Sequence, residues 1–253
     1  MIKKISNKTA LVTGAAKRIG AGIAVKLAKI GYDLVITYND SKKEAEDIQN
    51  LIISKYKVKC QIIKCDLLKV KEVEKLARHL EKTLDNWSLL INNASIFNQS
   101  KFISSNSKDL TNNLQIHLLS PLILSHCFAK NVIINQIKDA HIINMVDKNI
   151  KRFDTKYFNY LLSKKFLAQT TEMLALELAP QIRVNAIAPG FILNSVDNSY
   201  KPNLIPKIIS NIPLKSKGNV ENITQTVEFL ITNKFITGQI IFIDGGASLN
   251  HAG

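Results

Sequence analysis

The chain has 253 residues, 46% of them hydrophobic and 21% charged, which suits one large α/β domain with a substantial buried core. Its three cysteines (Cys60, Cys65, Cys127) do not complete a disulfide framework, and no CxxC or Cys/His cluster points to a metal. The net charge of 34 − 20 = +14 favours anionic partners. No basic run with interleaved aromatics, helix-turn-helix, zinc or RNA-binding signature accompanies it, so an anionic small molecule is expected rather than nucleic acid.

The opening MIKKISNKTALVTG lacks an apolar signal-peptide core. No run of about 18 apolar residues suggests a membrane span, so a cytoplasmic chain is expected. KTALVTG (8–14) reads as a strand ending in glycine, and Ile19, Ile23, Leu27 and Ile30 then recur at helical spacing. DLVITY (33–38) reads as a strand, and SKKEAEDIQNLIISKY as a helix capped by Asp40 or Ser41. KCQIIKCD (59–66), SLLINNA (88–94), AHIINMV (140–146), IRVNAIAPG (182–190) and GQIIFIDGG (238–246) supply further strands. Helices are expected over VKEVEKLARHLEKTL, over 108–130 with Pro121 inside or kinking it, and over 155–178 up to Pro180. Strands apolar on both faces, alternating with helices, predict a single-domain, doubly wound parallel sheet of about seven strands with helices on both faces. Such sheets bind ligands beyond the carboxyl ends of their strands, where each polar motif of this chain falls.

TGAAKRIGAG (13–22) occupies the first strand–helix junction. Gly14 permits a tight turn, Gly20 permits close packing of helix on strand, and the helix N-terminus offers N–H groups to a pyrophosphate. NAD-binding folds carry an acid at the end of the second strand, about 20 residues beyond the turn, to hold a ribose hydroxyl. Here Tyr38, Asn39, Asp40 and Ser41 stand there, with Lys17, Arg18, Lys42 and Lys43 nearby. Hydroxyls and cations suit a 2′-phosphate and favour NADPH, although Asp40 opposes it. Tyr160 and Lys164 lie four apart, so a helix sets an ammonium beside that phenol; Tyr157 has Leu161 in the same relation.

TGAAKRIG, CDL, NNAS, Tyr160-x3-Lys164 and RVNAIAPG, in this order, give a chain that resembles the short-chain dehydrogenase/reductase family over nearly its whole length. The resemblance implies that Tyr160 donates a proton, and that Lys164 binds the nicotinamide ribose and lowers the tyrosine pKa. It implies a pyrophosphate site at Gly14, Ile19 and Gly20, and an adenine site at Asp66 and Leu67. Asn93, Ala94 and Ser95 would border the adenine ribose region, and Pro189 and Gly190 the nicotinamide. It further implies a homotetramer, often through the helices at 108–130 and 155–178, and a substrate-covering segment at 194–218.

Asp147 stands thirteen residues before Tyr160, where most of the family has serine, and Arg18 replaces the middle glycine of the turn. With NNAS-Ile-Phe (92–97) and INMVD (143–147), these departures resemble the pteridine reductase branch, which includes bacterial dihydromonapterin and dihydrofolate reductases. That branch implies Arg18, Ser95, Phe97, Asp147 and Tyr160 around a pteridine or folate, with Phe97 stacking on the ring. His117 stands where the wider family has asparagine, and its role is open between structure and proton relay. Asp147 would need burial to raise its pKa before it could hold a proton at neutral pH. It could instead be a cap, and Phe97 ordinary core. The expected activity is NADPH-dependent reduction of a dihydropteridine. A carbonyl reductase acting on an oxoacyl thioester is the alternative, and a non-enzymatic dinucleotide sensor is disfavoured by the Tyr160/Lys164 pair.

Overall fold

Alternation of apolar and amphipathic segments builds a seven-stranded parallel sheet in the order β3-β2-β1-β4-β5-β6-β7. Its strands are β1 (Thr9–Val12), β2 (Asp33–Tyr38), β3 (Cys60–Lys64), β4 (Trp87–Asn92), β5 (Ala140–Met145), β6 (Ile182–Pro189) and β7 (Ile240–Ile243). Helices are α1 (Arg18–Lys29), α2 (Lys42–Tyr56), α3 (Val70–Thr83), α4 (Ser107–Leu114), α5 (Ser120–Ile134), α6 (Phe158–Leu178), α7 (Ile205–Ser210) and α8 (Val220–Thr232). The computed structural model describes residues 8–192 and 204–250. Part of the expected covering segment, 194–203, therefore lies outside the described residues.

Successive side chains of a strand point to opposite faces, so each central strand feeds two cores. Leu89 and Ile91 of β4 join Ile23 and Leu27 of α1 and Val227 and Leu230 of α8 on one side. Leu90 joins Val73 and Leu80 of α3 and Leu124 and Phe128 of α5 on the other. Every residue of β4 and β5 is buried, as expected of strands covered on both faces. The edge strands depart from that expectation: β3 and β7 are half-covered because each has a neighbour on one side only. Trp87 and Phe128 meet edge to face at 5.0 Å, both fully buried, and truncating Phe128 to alanine would cost about 3–5 kcal/mol.

The helical region expected over 108–130, with Pro121 inside or kinking it, is present: α4 passes through a π turn at Gln115–Leu119 into α5, with Pro121 in the first turn of α5. Two expectations need correction. The helix expected from 155 starts at Phe158, because the backbone before it pairs with Ser100 instead. Ser100 N–H donates to Lys156 O at 2.8 Å, and Phe158 N–H to Ser100 O at 2.9 Å. Contrary to the hydropathy reading, Ser107–Ile134 is long and apolar enough to cross a membrane by length and composition, with mean hydropathy 1.3. Its apolar window is 61% buried within the protein, against α3 and the sheet, which marks it as a core helix. Ser41 occupies the N-cap of α2 without a side-chain capping bond. The three cysteines are buried free thiols, each pushed up in pKa by burial, Cys60 and Cys65 to about 12 and Cys127 to about 11.

Candidate active site

The sheet order reverses between β1 and β4, and the clefts open there, at the carboxyl ends of the strands. Gly14 turns the chain with φ +62°, and a Cβ on it would lie 2.9 Å from Ala94 Cα. A Cβ on Gly20 would lie 2.4 Å from Gly14 O, so α1 packs on the turn as the sequence predicts. Arg18, at the position of the missing glycine, takes the left-handed conformation itself, φ 57°, which costs an L-residue about 1–2 kcal/mol. Neighbouring strands fix the turn. Asn93 Nδ2 donates to Thr13 O at 2.9 Å and Gly14 O at 3.1 Å, and Thr13 Oγ1 accepts the N–H groups of Asn93 and Ala94. Thr13 is a supporting residue that the motif reading passed over, although it directly precedes Gly14.

One cleft is lined by Gly14, Lys17, Arg18, Ile19, Gly20, Tyr38, Asn39, Asp66, Leu67, Asn93, Ala94 and Ser95. Ser41 is not part of that lining. Asp66 also serves its own turn, its Oδ1 accepting Leu68 N–H at 3.1 Å. The charges at the outer end are partly matched: Lys17 pairs with Glu44 at 2.6 Å, and Lys42 with Glu46 at 3.6 Å. Asp40 accepts from Asn39 Nδ2 at 3.0 Å.

The adjoining cleft is lined by Arg18, Ser95, Phe97, Asp147, Tyr160, Lys164, Pro189 and Gly190, among others. The Tyr160 hydroxyl donates to Asp147 Oδ2 at 3.0 Å. Asp147 Oδ1 accepts Asn149 N–H at 2.7 Å, so the carboxylate caps the following turn and faces the phenol at once. Burial raises the Asp147 pKa above its ordinary value, against the opposing pull of Asn149 N–H, the phenol, Lys148 and Lys164. Lys164 is 2% exposed, and burial pushes its pKa down to about 8. Its Nζ donates to Met145 O at 2.7 Å and lies 5.9 Å from the centre of the Tyr160 ring, so the ammonium faces the tyrosine without ion-pairing.

Phe97 is half-buried, not core. It stacks on Tyr157 at 4.5 Å and meets Tyr160 edge-on at 4.8 Å. Of the two tyrosines near residue 160, Tyr157 therefore supports the aromatic wall. His117 is buried in the π turn. Its Nε2 accepts Ile96 N–H at 3.2 Å, with Ser95 Oγ at 2.9 Å, which assigns the ring proton to Nδ1, 2.9 Å from Ser163 Oγ. Burial and the Lys164 cation hold its pKa well below the ordinary histidine value, so the ring is neutral. It joins the loop carrying Phe97 to the helix carrying Tyr160.

Residues 14–248 match a family model described as enoyl-(acyl carrier protein) reductase. The chain belongs to the short-chain dehydrogenase/reductase family. A 3-oxoacyl-[acyl-carrier-protein] reductase, FabG, of Buchnera aphidicola is 33% identical over 96% of this chain and 98% of its own length. Among solved structures, FolM alternative dihydrofolate reductase 1 from Brucella canis, complexed with NADP, superposes with TM-score 0.88. It is 32% identical, covering 98% of this chain and 96% of its own. The Brucella suis protein of that name, also with NADP, gives TM-score 0.86 at 32% identity, covering 96% of each chain. Both kinds of relative thus have about the same identity with this short-chain dehydrogenase/reductase, and the side chains in the cleft have to separate them.

Proposed function

We propose that this short-chain reductase uses NADPH to reduce a dihydropteridine, such as dihydrofolate, dihydromonapterin or dihydrobiopterin, to its tetrahydro form. The observation that carries the reading is the 3.0 Å contact between Tyr160 and a half-buried Asp147 whose pKa is raised. Reducing a ring C=N adds hydride to carbon and a proton to nitrogen. The phenol donates to Asp147 Oδ2, and this pair would deliver a proton to such a nitrogen. A ketone instead builds negative charge on oxygen, which Asp147 would oppose in whatever fraction of the protein it is ionised.

The turn and cleft fit a nicotinamide dinucleotide, with close backbone approach at Gly14 and Gly20 and a helix N-terminus free of acidic side chains in its first turn. The bound cofactor supplies the hydride. Gly14, Ile19, Gly20, Asp66, Leu67, Asn93, Ala94 and Ser95 would hold its adenosine and pyrophosphate end, and Tyr160, Lys164, Pro189 and Gly190 its nicotinamide end. Lys17, Arg18, Tyr38 and Asn39 are the proposed 2′-phosphate contacts; Ser41, expected among them, lies outside the lining of that cleft. The NADP complexes of the two FolM structures support that choice. Lys164 would orient the ribose with the donors not used on Met145 O. Phe97, braced by Tyr157, would offer a flat wall to the pteridine, with Arg18 and Ser95 as polar partners.

The second reading, a 3-oxoacyl-thioester reductase, is supported by the FabG relatives at 30–33% identity. Oxidation of NADPH by the purified protein, with dihydrofolate, a dihydropterin and an acetoacetyl thioester side by side, separates the two. Turnover of pteridines alone is expected. Turnover of the thioester alone would replace the proposal with the second reading.

A further inference from the structure

The loop after Asp147 carries several cations, of which only Lys148 acts on the pKa of the Asp147 carboxyl. Lys148, Lys151, Arg152 and Lys156 line the cleft that holds Asp147 and Tyr160, and none of them lines the adjoining dinucleotide cleft. Among the described residues none of the four has an ion-pair partner. The acids in the same lining are Asp147, already committed to Tyr160, and Asp154, whose Oδ1 accepts Lys156 N–H at 2.8 Å. The loop is anchored, since the Arg152 guanidinium donates to the carbonyls of Ala247 and Asn250. In its midst Phe153 is 96% exposed, with Lys165 Nζ 4.0 Å from its ring centre. A phenylalanine left in water forgoes the gain of burial, which a bound ring would recover in part.

Cations flanking an open aromatic face, next to the proposed pteridine wall, form a complement to an aromatic group that carries carboxylates. Resting on the pteridine reading, we propose that the 148–156 loop is a subsite for an anionic aryl tail. The substrate is then a dihydropteridine extended by p-aminobenzoyl-glutamate, the folate class, in preference to a compact uncharged pterin. Extra glutamates add charge within reach of Lys151 and Lys156, so polyglutamates bind more tightly than the monoglutamate. Because these cations are solvent-facing, salt weakens the preference.

The test compares kcat/KM for dihydrofolate monoglutamate, its triglutamate and a tailless hydroxymethyl-dihydropterin, at low and high salt. Alongside it, calorimetry measures binding of p-aminobenzoyl-triglutamate to the NADP-loaded protein. Preference for the tailed substrates, rising with glutamate number and falling with salt, is expected. In Lys151→Glu/Lys156→Glu the tailed-to-tailless ratio should fall roughly tenfold, the product of two exposed charge reversals. Phe153→Ala should lower the ratio for all tailed substrates without changing the salt slope. A ratio near one for wild type, or one unmoved by these variants, overturns the subsite while leaving pteridine reduction intact. Turnover of an acyl thioester on an acidic carrier protein, with no pteridine turned over and no triglutamate bound, overturns both.

Discussion

Lys164 holds an ammonium where the fold is dry, 2% exposed and with one carbonyl acceptor in the free protein, and burial lowers its pKa to about 8. The unfolded chain keeps that proton up to its ordinary value of 10.5, so between those pH values the unfolded state binds more protons and stability rises with pH. Lys164→Met, which removes the buried charge, should raise the stability of the cofactor-free protein at neutral pH by about 1–3 kcal/mol. It should also abolish the rise at alkaline pH, and both effects are read by urea titration. Activity runs the other way: wild-type turnover should fall as pH climbs past about 8, and the variant should be nearly inactive. A less stable variant would show that the bond to Met145 O outweighs desolvation. Asp147 and Tyr160 form the second residue-scale unit. On the proposed reading, Asp147→Asn and Tyr160→Phe each break the proton-delivery pair and should lower pteridine kcat by about 10²–10⁴ while sparing NADPH affinity. Fluorescence titration of NADPH beside steady-state rates separates the two. Undiminished pteridine turnover in Asp147→Asn would leave Asp147 only its bond to Asn149 N–H.

At the scale of elements, the turn from β1 into α1 is the least tolerant junction. A methyl on Gly20 would meet Gly14 O at 2.4 Å, and neither is the end of a flexible side chain, so Gly20→Ala must displace the turn or the helix. A loss of about 1–3 kcal/mol is expected, seen as a lower Tm, with NADPH affinity reduced at least as strongly. An unchanged Tm and NADPH affinity would mean that the junction yields. This junction was legible in the sequence because its constraints are local: Gly14, Gly20 and the apolar spacing of Ile19, Ile23 and Leu27 stand within one strand–helix unit. Helix α8 carries an equally plain signal, Ile223, Val227, Leu230 and Ile231 above a capping box of Asn219 and Asn222, yet no chemistry-bearing motif marks it. The π turn is different in kind. Pro121, just beyond Gln115–Leu119, marks a break in the helical ladder but not its form; His117 there bonds to Ser95, Ile96 and Ser163, two of them more than 20 residues upstream and one 46 downstream. The delayed start of α6 has the same origin, a backbone pairing with Ser100 that no local pattern announces. The sequence located the Asp147–Tyr160 relation, but only the fold shows Asp147 serving as cap and acid partner together.

Across the whole molecule, the reversal of strand order places two clefts side by side, and Arg18 lines both. On the proposed pteridine reading, a side chain common to both clefts would couple their occupants: a cofactor contacting the guanidinium would orient it toward the pteridine, and linkage would require the converse to the same degree. The left-handed backbone at Arg18 is consistent with that demand, because glycine would adopt the same conformation without steric cost. Arg18→Gly should therefore relieve up to about 1–2 kcal/mol of strain, offset in part by the greater freedom of glycine in the unfolded chain. It should also make pteridine affinity nearly independent of cofactor. Calorimetric titration of a dihydropteridine into the free and NADP-loaded proteins measures the coupling, with about 5–150-fold expected for wild type and little for the variant. Equal coupling in both proteins would remove Arg18 from the link and leave it to Ile19, Asn93 and Ser95, which also border both clefts.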